Sequence, residues 1–299
     1  MSSAEIRIRR ATPGDARRAF DVSMAAMRDL FVRQGNEWKL DAESFWTVLE
    51  PVLTHVATHA AEWWIAEDPS DGSTIGYARS IERGGLFELS EFFVRPDRQS
   101  AGVGRRLLER VFPMGRGEVR AIIATTDTRG LSRYYAAGTV ARFAMMSLGG
   151  PPKPTRSAGD MEVVSATFDD VAELSAIEKA VFGYPRHADY AWLFEQREAY
   201  LYRRAGRALG FAFFSKTGQG PIAALEPGDL RPILIHLEGR AHACGMETVS
   251  FEVPSINEVA MHHLLGRGFK IDAPLNLLMS NVPFGQFDRL IAFGPPIVL

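Results

Sequence analysis

At 299 residues, with 46% hydrophobic and 23% charged residues, the chain has a soluble globular composition and the length of two ordinary domains. A formal charge of −2 gives no electrostatic case for nucleic acid as the main partner. The single cysteine, Cys244, excludes an intrachain disulfide and a cysteine-rich metal site, and no apolar run approaches the length of a membrane span. The first residues carry no apolar signal core, so a reducing, cytoplasmic compartment is expected.

In chain order, the pattern predicts a strand from Ile6 to Arg10, a helix from Pro13 to Leu30 and an aromatic-rich helical region from Ala42 to Ala60. Strands follow at Trp63 to Glu67, Ser73 to Glu82 and Leu86 to Val94, the first two joined by the turn Asp68-Pro69-Ser70-Asp71-Gly72. Next come a helix from Val103 to Phe112, a strand from Val119 to Thr125, a helix from Leu131 to Ala137 and a strand from Arg142 to Leu148. The class is α/β of the mixed α+β kind, a mostly antiparallel sheet flanked by helices, without regular βαβ alternation.

Gly149 to Asp160 holds three prolines and three glycines and reads as a linker. The expected domains are therefore 1–150 and 161–299, with 151–160 between them. The second half repeats the order: a strand near Met161, helices at Asp169 to Ala180 and Tyr190 to Glu198, and strands at Tyr200, Gly210 and Ile222. A helix from Leu230 to Cys244, a strand from Thr248 to Val253, a helix from Asn257 to Leu265 and a strand ending at Met279 complete it. Thr12 and Thr167 each precede a helix with acids in its first turn, and Ile75-Gly76-Tyr77-Ala78 is matched by Leu209-Gly210-Phe211-Ala212. Both matches fall in the same order, as one fold occurring twice would require.

The most informative segment runs from Phe92 to Leu108: an apolar strand, a turn with Pro96 and Asp97, then glycines opening an amphipathic helix. Unpaired N–H groups at such a helix start, with the positive end of the helix dipole, form a site for phosphate. Gly102 and Gly104 carry no side chain to block a pyrophosphate, and Arg105, Arg106 and Arg110 extend the positive field. The alternatives are a plain tight turn and a dinucleotide-binding turn. The latter places its glycines near the first strand of a βαβ unit, whereas these follow several strands and the next strand leads into Thr125-Thr126-Asp127.

The pattern Gln99-Ser100-Ala101-Gly102-Val103-Gly104 resembles the acyl-CoA motif of the GNAT acyltransferase superfamily, and the order of elements across the first half is similar to that family's. The resemblance implies that N–H groups from Gln99 through Ser100, Ala101, Gly102, Val103 and Gly104 to Arg105 hold the pyrophosphate of acetyl-CoA. It also implies that the splayed strand end at Phe92, Phe93 and Val94 bonds the pantetheine arm. Asp127, Gly130, Arg133-Tyr134 and Gly138-Thr139 stand where family members often carry Asn, Ala, Leu-Tyr and Gly-Phe. This alignment counts Asp127 with the cosubstrate site and puts Tyr134 at the general-acid position, with Tyr135 as the fallback. A phenol there protonates, or hydrogen-bonds, a departing thiolate.

The implied reaction is N-acetyl transfer to a primary amine on a small molecule or peptide, by direct attack in a ternary complex and without metal. The amine must be neutral to attack, which calls for a carboxylate base, directly or through water. Glu88 and Glu91 lie in the strand that runs into the glycines, and a semi-apolar setting raises such groups toward a working base. Glu88 matches a position where several family members keep a catalytic glutamate. Simple alternation puts Glu91 on the opposite side unless a bulge intervenes. The family's acceptor usually meets the first two helices, here with the loop Leu30 to Trp38. A non-catalytic acyl-CoA sensor and a nucleotide-binding oxidoreductase are the rival functions.

In the second half, Ala223 to Pro232 offers one glycine, with Asp229 to repel a pyrophosphate and Pro232 lacking an N–H. Asn257, Ala260, Leu265 and Gly268-Phe269 nevertheless match the later family motif, with Leu264 at the tyrosine position. The expectation is a degenerate GNAT-like domain that covers the first, shapes the acceptor site or mediates a homodimer. His236, His262 and His263 have no partner acids at metal spacing and read as ordinary helix histidines.

Overall fold

The computed structural model describes residues 6–99, 102–155 and 159–294. They form two compact units: the chain up to Ile122 with Asp127–Val140, and Ile123–Thr126 with Ala141 onward.

The first unit begins with β1 (Arg7–Arg10), α1 (Ala16–Arg33), α2 (Ala42–Thr58), β2 (Ala60–Glu67), β3 (Thr74–Arg83) and β4 (Leu86–Val94). It continues through α3 (Val103–Val111), β5 (Val119–Thr125) and α4 (Thr128–Ala136). The sheet order is β1-β2-β3-β4-β5, antiparallel except for the parallel β4–β5 pair. The entry to α1 is tied down by Asp15, which accepts from Thr12 N at 2.9 Å and from Arg9 Nη2 at 2.8 Å. The Arg9 guanidinium holds the Asp15 carboxyl down at about 2. Asp41 caps α2 by accepting from Ser44 N at 2.8 Å. Helices α1 and α2 pack on one sheet face, where Ala19, Val22 and Ala57 meet Trp63, Ile65 and Tyr77. On the other face α3 sits close: a Cβ on Gly76 would come within 3.4 Å of Leu107.

The chain continues through β6 (Val140–Gly150), β7 (Glu162–Ala166), α5 (Val171–Val181), α6 (His187–Gln196), β8 (Glu198–Arg204) and β9 (Arg207–Ser215). Then follow β10 (Gly218–Ala224), α7 (Leu230–Ala243), β11 (Val249–Pro254), α8 (Glu258–Gly266), β12 (Lys270–Ile271), β13 (Asn276–Ser280) and β14 (Leu290–Ile291). In the second unit one sheet runs β14-β10-β9-β8-β7, and a second group of strands runs β13-β6-β11 with β12 also on β6. The fold is thus tandem: two mixed, mostly antiparallel sheet systems with flanking helices.

Three details differ from the sequence expectations. Strand β6, expected to close the first domain, pairs antiparallel with β11 from Met145↔Pro254 to Gly150↔Val249 and buries Leu148 in the second unit's core. Its backbone bonds and its apolar face both lie with strands of the second compact unit, which takes in Ala141 onward. The described part of the linker lies on α7: Lys153 N bonds Glu238 Oε1 at 3.0 Å and Thr155 Oγ1 bonds the Ile235 carbonyl at 2.8 Å. Finally, β14 is a strand the sequence reading lacked. Among the described residues no helix is long and apolar enough to cross a membrane.

Candidate active site

Strand β4 carries both predicted glutamates and the predicted edge Phe92–Val94. Its register with β3 shifts between Arg79↔Glu91 and Ser80↔Leu89, so Ser90 is the extra residue of a bulge. The bulge reverses the alternation. Glu88, opposite Ile81, and Glu91, opposite Arg79, now share the face of Tyr77 and Arg79, the face covered by α1 and α2. The parallel pairing with β5 covers only Leu86–Leu89, so beyond the bulge β4 is free of β5 over Glu91–Val94.

The two glutamates are held differently. Glu91 accepts from Tyr77 Oη at 2.8 Å and pairs with Arg79, whose Nη1 also bonds the Leu53 carbonyl of α2 at 3.2 Å. Arg79 is 1% exposed and stacks on the Trp63 ring at 4.9 Å. Burial pulls its pKa down to about 10, so it remains a cation at neutral pH and Glu91 faces a full charge. Glu88 is 2% exposed, in the stretch still paired on both sides, with Ile81 and Ala121 as neighbours across the strands.

On the opposite face, Phe92 links the remaining parts. A Cβ on Gly104 would lie 3.1 Å from Phe92 Cζ, and the Phe92 ring meets Tyr134 edge-on at 6.2 Å. Gly104 is therefore demanded by the packing of α3 on the strand, rather than by open access to a phosphate. Gly102 has the open position. It starts α3 with φ +77°, and a side chain built on it would meet nothing within 4 Å. Gln99 Nε2 bonds the Val94 carbonyl at 3.1 Å and ties the turn back to the strand end. Val103 is buried beneath the helix start, while Arg105 is exposed beside Glu109 at 3.7 Å. Phe93 turns to the other face and packs on Tyr77 at 5.8 Å, leaving its backbone on the free edge. Ser100 and Ala101 lie outside the described residues.

Tyr134 is buried, and burial first, then the Asp127 carboxylate, push its pKa far above the ordinary phenol value. The phenol therefore keeps its proton through neutral pH. Gly130 sits one helical turn earlier, and a Cβ there would come within 3.4 Å of the Tyr134 ring. Tyr135 is 51% exposed and turned away from this cluster. Asp127 caps α4 through Arg129 N at 3.1 Å and pairs with Arg129 at 3.0 Å and Arg33 at 3.1 Å. Burial alone would raise its carboxyl; the bonds from Arg129 and Arg33 outweigh this and hold it below the usual range.

One residue escaped the sequence reading. Arg133 replaces a family leucine and reads as a mere departure, yet its guanidinium lies 3.7 Å from the Cβ position of Gly104, at the start of α3. Among the described residues no ion pair or hydrogen bond engages that guanidinium. The usable signal was position: residue 133 precedes the buried tyrosine on the helix that faces α3. Among the described residues no cluster of His, Cys, Asp and Glu is arranged to hold a metal.

In the second unit the corresponding region is closed. The 3-10 turn Pro227–Asp229 runs directly into α7 at Leu230, whereas Pro96–Arg98 is separated from α3 by Gln99–Gly102. Strand β14 pairs with β10 (Ile222↔Ile291, Ala223↔Leu290), and Ala292 bridges Glu252 of β11. Gly294 N bonds the Gln219 carbonyl at 2.9 Å, and Asn257 Nδ2 bonds the Leu290 carbonyl at 3.1 Å. Side chains at Gly218 or Gly220 would collide with the backbone of Gly294 or Ala292.

Residues 24–137 match the model of the Acetyltransferase (GNAT) family. Among solved structures, a putative acetyltransferase from Pyrococcus horikoshii superposes with TM-score 0.72 at 16% identity, covering 97% of this chain and 94% of that one. A GCN5-related N-acetyltransferase from Sphaerobacter thermophilus gives 0.62 at 16% identity, with 92% and 95% coverage. A tandem GNAT protein from the clavulanic acid biosynthesis pathway gives 0.57 at 13% identity, with 93% and 99% coverage. These likenesses concern the fold. No curated protein matches the sequence.

Proposed function

The first unit carries a domain of the acetyltransferase (GNAT) family at residues 24–137, and we propose that it acts as an N-acetyltransferase, moving acetyl from acetyl-CoA to a primary amine by direct attack in a ternary complex. In chain order the two copies of the fold are 1–150 and 161–299, with 151–160 between them, and only the first has a competent acyl-CoA site. The observation that carries this reading is the convergence on Phe92. One ring joins the strand edge beyond the bulge, the glycine-opened helix and a buried neutral tyrosine.

The residues present fit the cosubstrate. The open Gly102 and the amides that start α3 suit a pyrophosphate, with Arg133 as a cation beside them. The free edge of Phe92, Phe93 and Val94 offers backbone groups for the amides of the pantetheine arm. Bound there, acetyl-CoA supplies the activated acyl thioester. Tyr134, protonated throughout the neutral range, donates to a leaving sulfur and limits its charge. Glu88 is the base for the amine, directly or through water. Glu91, paired with Arg79 and bonded by Tyr77, is a positioning residue on the same face. The acceptor then approaches from the side of α1 and α2, across the strand from Tyr134. The acceptor is a small-molecule or peptide amine.

Acetyl-CoA is expected to raise the melting temperature, and Gly102→Glu to remove that rise. An unchanged wild-type melt rules the reading out. Release of free CoA thiol across an amine panel then separates enzyme from sensor: binding without release for any amine favours the non-catalytic module.

A further inference from the structure

The groove between α7 and α8 in the second unit takes no part in the proposed reaction, and its lining carries one sign of charge. Arg231 and Ile235 of α7 form one wall; Val259, His262, His263 and Gly266, at helical spacing on α8, form the other. Arg267 closes the end, Pro154-Thr155 close a side, and the open groove has a volume of about 700 Å³. Among the described residues no carboxylate lines it. Glu238 lies buried beneath, accepting from Arg267 Nε and Nη2 at 2.9 Å each and from Lys153 N at 3.0 Å, so its charge is already matched.

Three groups are left with donor capacity. Arg231 is exposed, and among the described residues its guanidinium makes no ion pair or hydrogen bond. Arg267 bonds Glu238 through Nε and Nη2, which leaves Nη1. His263 Nε2 is enclosed and has no partner. An enclosed polar atom without a partner carries a desolvation penalty that a ligand relieves.

We propose that this groove binds a phosphate-bearing small molecule, its phosphate held by Arg231, His263 and Arg267 and its organic part resting on Ile235, Val259 and Pro154. Two guanidinium groups with an imidazole suit a multiply charged tetrahedral anion better than a single carboxylate. The site rests on the second unit alone and stands or falls separately from acetyl transfer. It is also coupled to protons. Burial lowers the His263 pKa, Arg231 of α7 and Arg267 push the same way, and Glu238 of α7 opposes them. An anion among these groups raises it, so binding takes up a proton.

The test titrates the whole protein with adenosine monophosphate, inorganic phosphate and sulfate while following the His263 ring signals by NMR, assigned through His263→Gln. Adenosine monophosphate is expected to shift them saturably and more tightly than inorganic phosphate. Arg231→Glu should weaken binding about tenfold or more, with Arg231→Lys in between. Sulfate, whose own charge is constant near neutrality, should bind more tightly as pH falls. Equal affinity for phosphate and the nucleotide would overturn the organic subsite and assign the groove to free phosphate. No saturable shift, or one unchanged in Arg231→Glu, overturns the proposal. The acetyl-CoA melt reports on the first unit and is expected to be unaffected by Arg231→Glu.

Discussion

Strands β4 and β10 start from the same plan and end in opposite states. Both carry a register shift at the same place: β4 bulges opposite Arg79, and β10 shifts between Gln219 and Ile222, opposite Phe213. Beyond the bulge, β4 has a free edge running toward Gly102, while the edge of β10 is taken by the chain's own β14. Aligning Gly76-Tyr77-Ala78-Arg79 with Gly210-Phe211-Ala212-Phe213 shows what changed beneath. The polar set Tyr77, Arg79 and Glu91 of the first unit is replaced by two phenylalanines and the Gly220-Pro221 bend. A bulged sheet can thus persist on packing alone. The first unit has three further things on which the proposed chemistry rests: polar groups under the bulge, an open edge, and a turn before the helix start.

The sharpest way to break this contrast is at Arg79. Arg79→Leu leaves Glu91 buried without its cation and should cost about 3–5 kcal/mol in urea unfolding, with much of this regained in Arg79→Leu/Glu91→Leu. Phe213→Leu, which strands no charge, should cost only about 1 kcal/mol. Equal losses at the two positions would mean that the ion pair does not organise β4.

The next effect is catalytic. Tyr134→Phe should lower acetyl transfer by about a hundredfold while the acetyl-CoA-induced rise in melting temperature stays. Turnover unchanged by that substitution removes Tyr134 from the mechanism.

Glu252 tests the filled edge of the second unit. Burial, aided by Asp272 and opposed by Ser147, raises its pKa from the ordinary 4.5 to about 6, and its Oε2 has no partner. The folded state therefore binds an extra proton between those values. Stability falls as pH rises through that window and stays lower above it. Glu252→Gln should flatten this dependence and raise neutral-pH stability by about 2 kcal/mol, read from melts across that range. An unchanged profile would mean that the carboxylate is solvated despite the strand beside it. The smallest expected effect is at Arg133. Arg133→Leu, which restores the family residue, should weaken acetyl-CoA binding about tenfold in calorimetry without shifting the unliganded melt. Equal affinity would leave the helix start as the whole cradle.

Local pattern made much of this legible. Helix α3, its glycine entry, the strand before it and the order of elements all depend on short-range periodicity and turn chemistry, which neighbouring residues record. The place of Tyr134 on α4 was legible because the spacing of a motif runs along one helix, whereas its burial against Phe92 was not. Strand ownership was not legible, because β6 reads the same whichever unit it bonds. The linker's prolines and glycines marked where no regular element continues, but not that Thr155 would dock on α7.

By itself, then, the sequence determined that one fold occurs twice and that a single glycine-opened helix follows a strand carrying two acids. The tertiary structure alone decided which face those acids share, since one extra residue at Ser90 inverts the alternation. It alone decided that Glu91 is bound to Arg79 and that Arg133 reaches Gly104, because both depend on contacts between segments far apart in the chain. It also decided why the second copy lacks an open edge. Closure there comes from Leu290–Gly294, residues whose local pattern gives no hint of the strand they will meet.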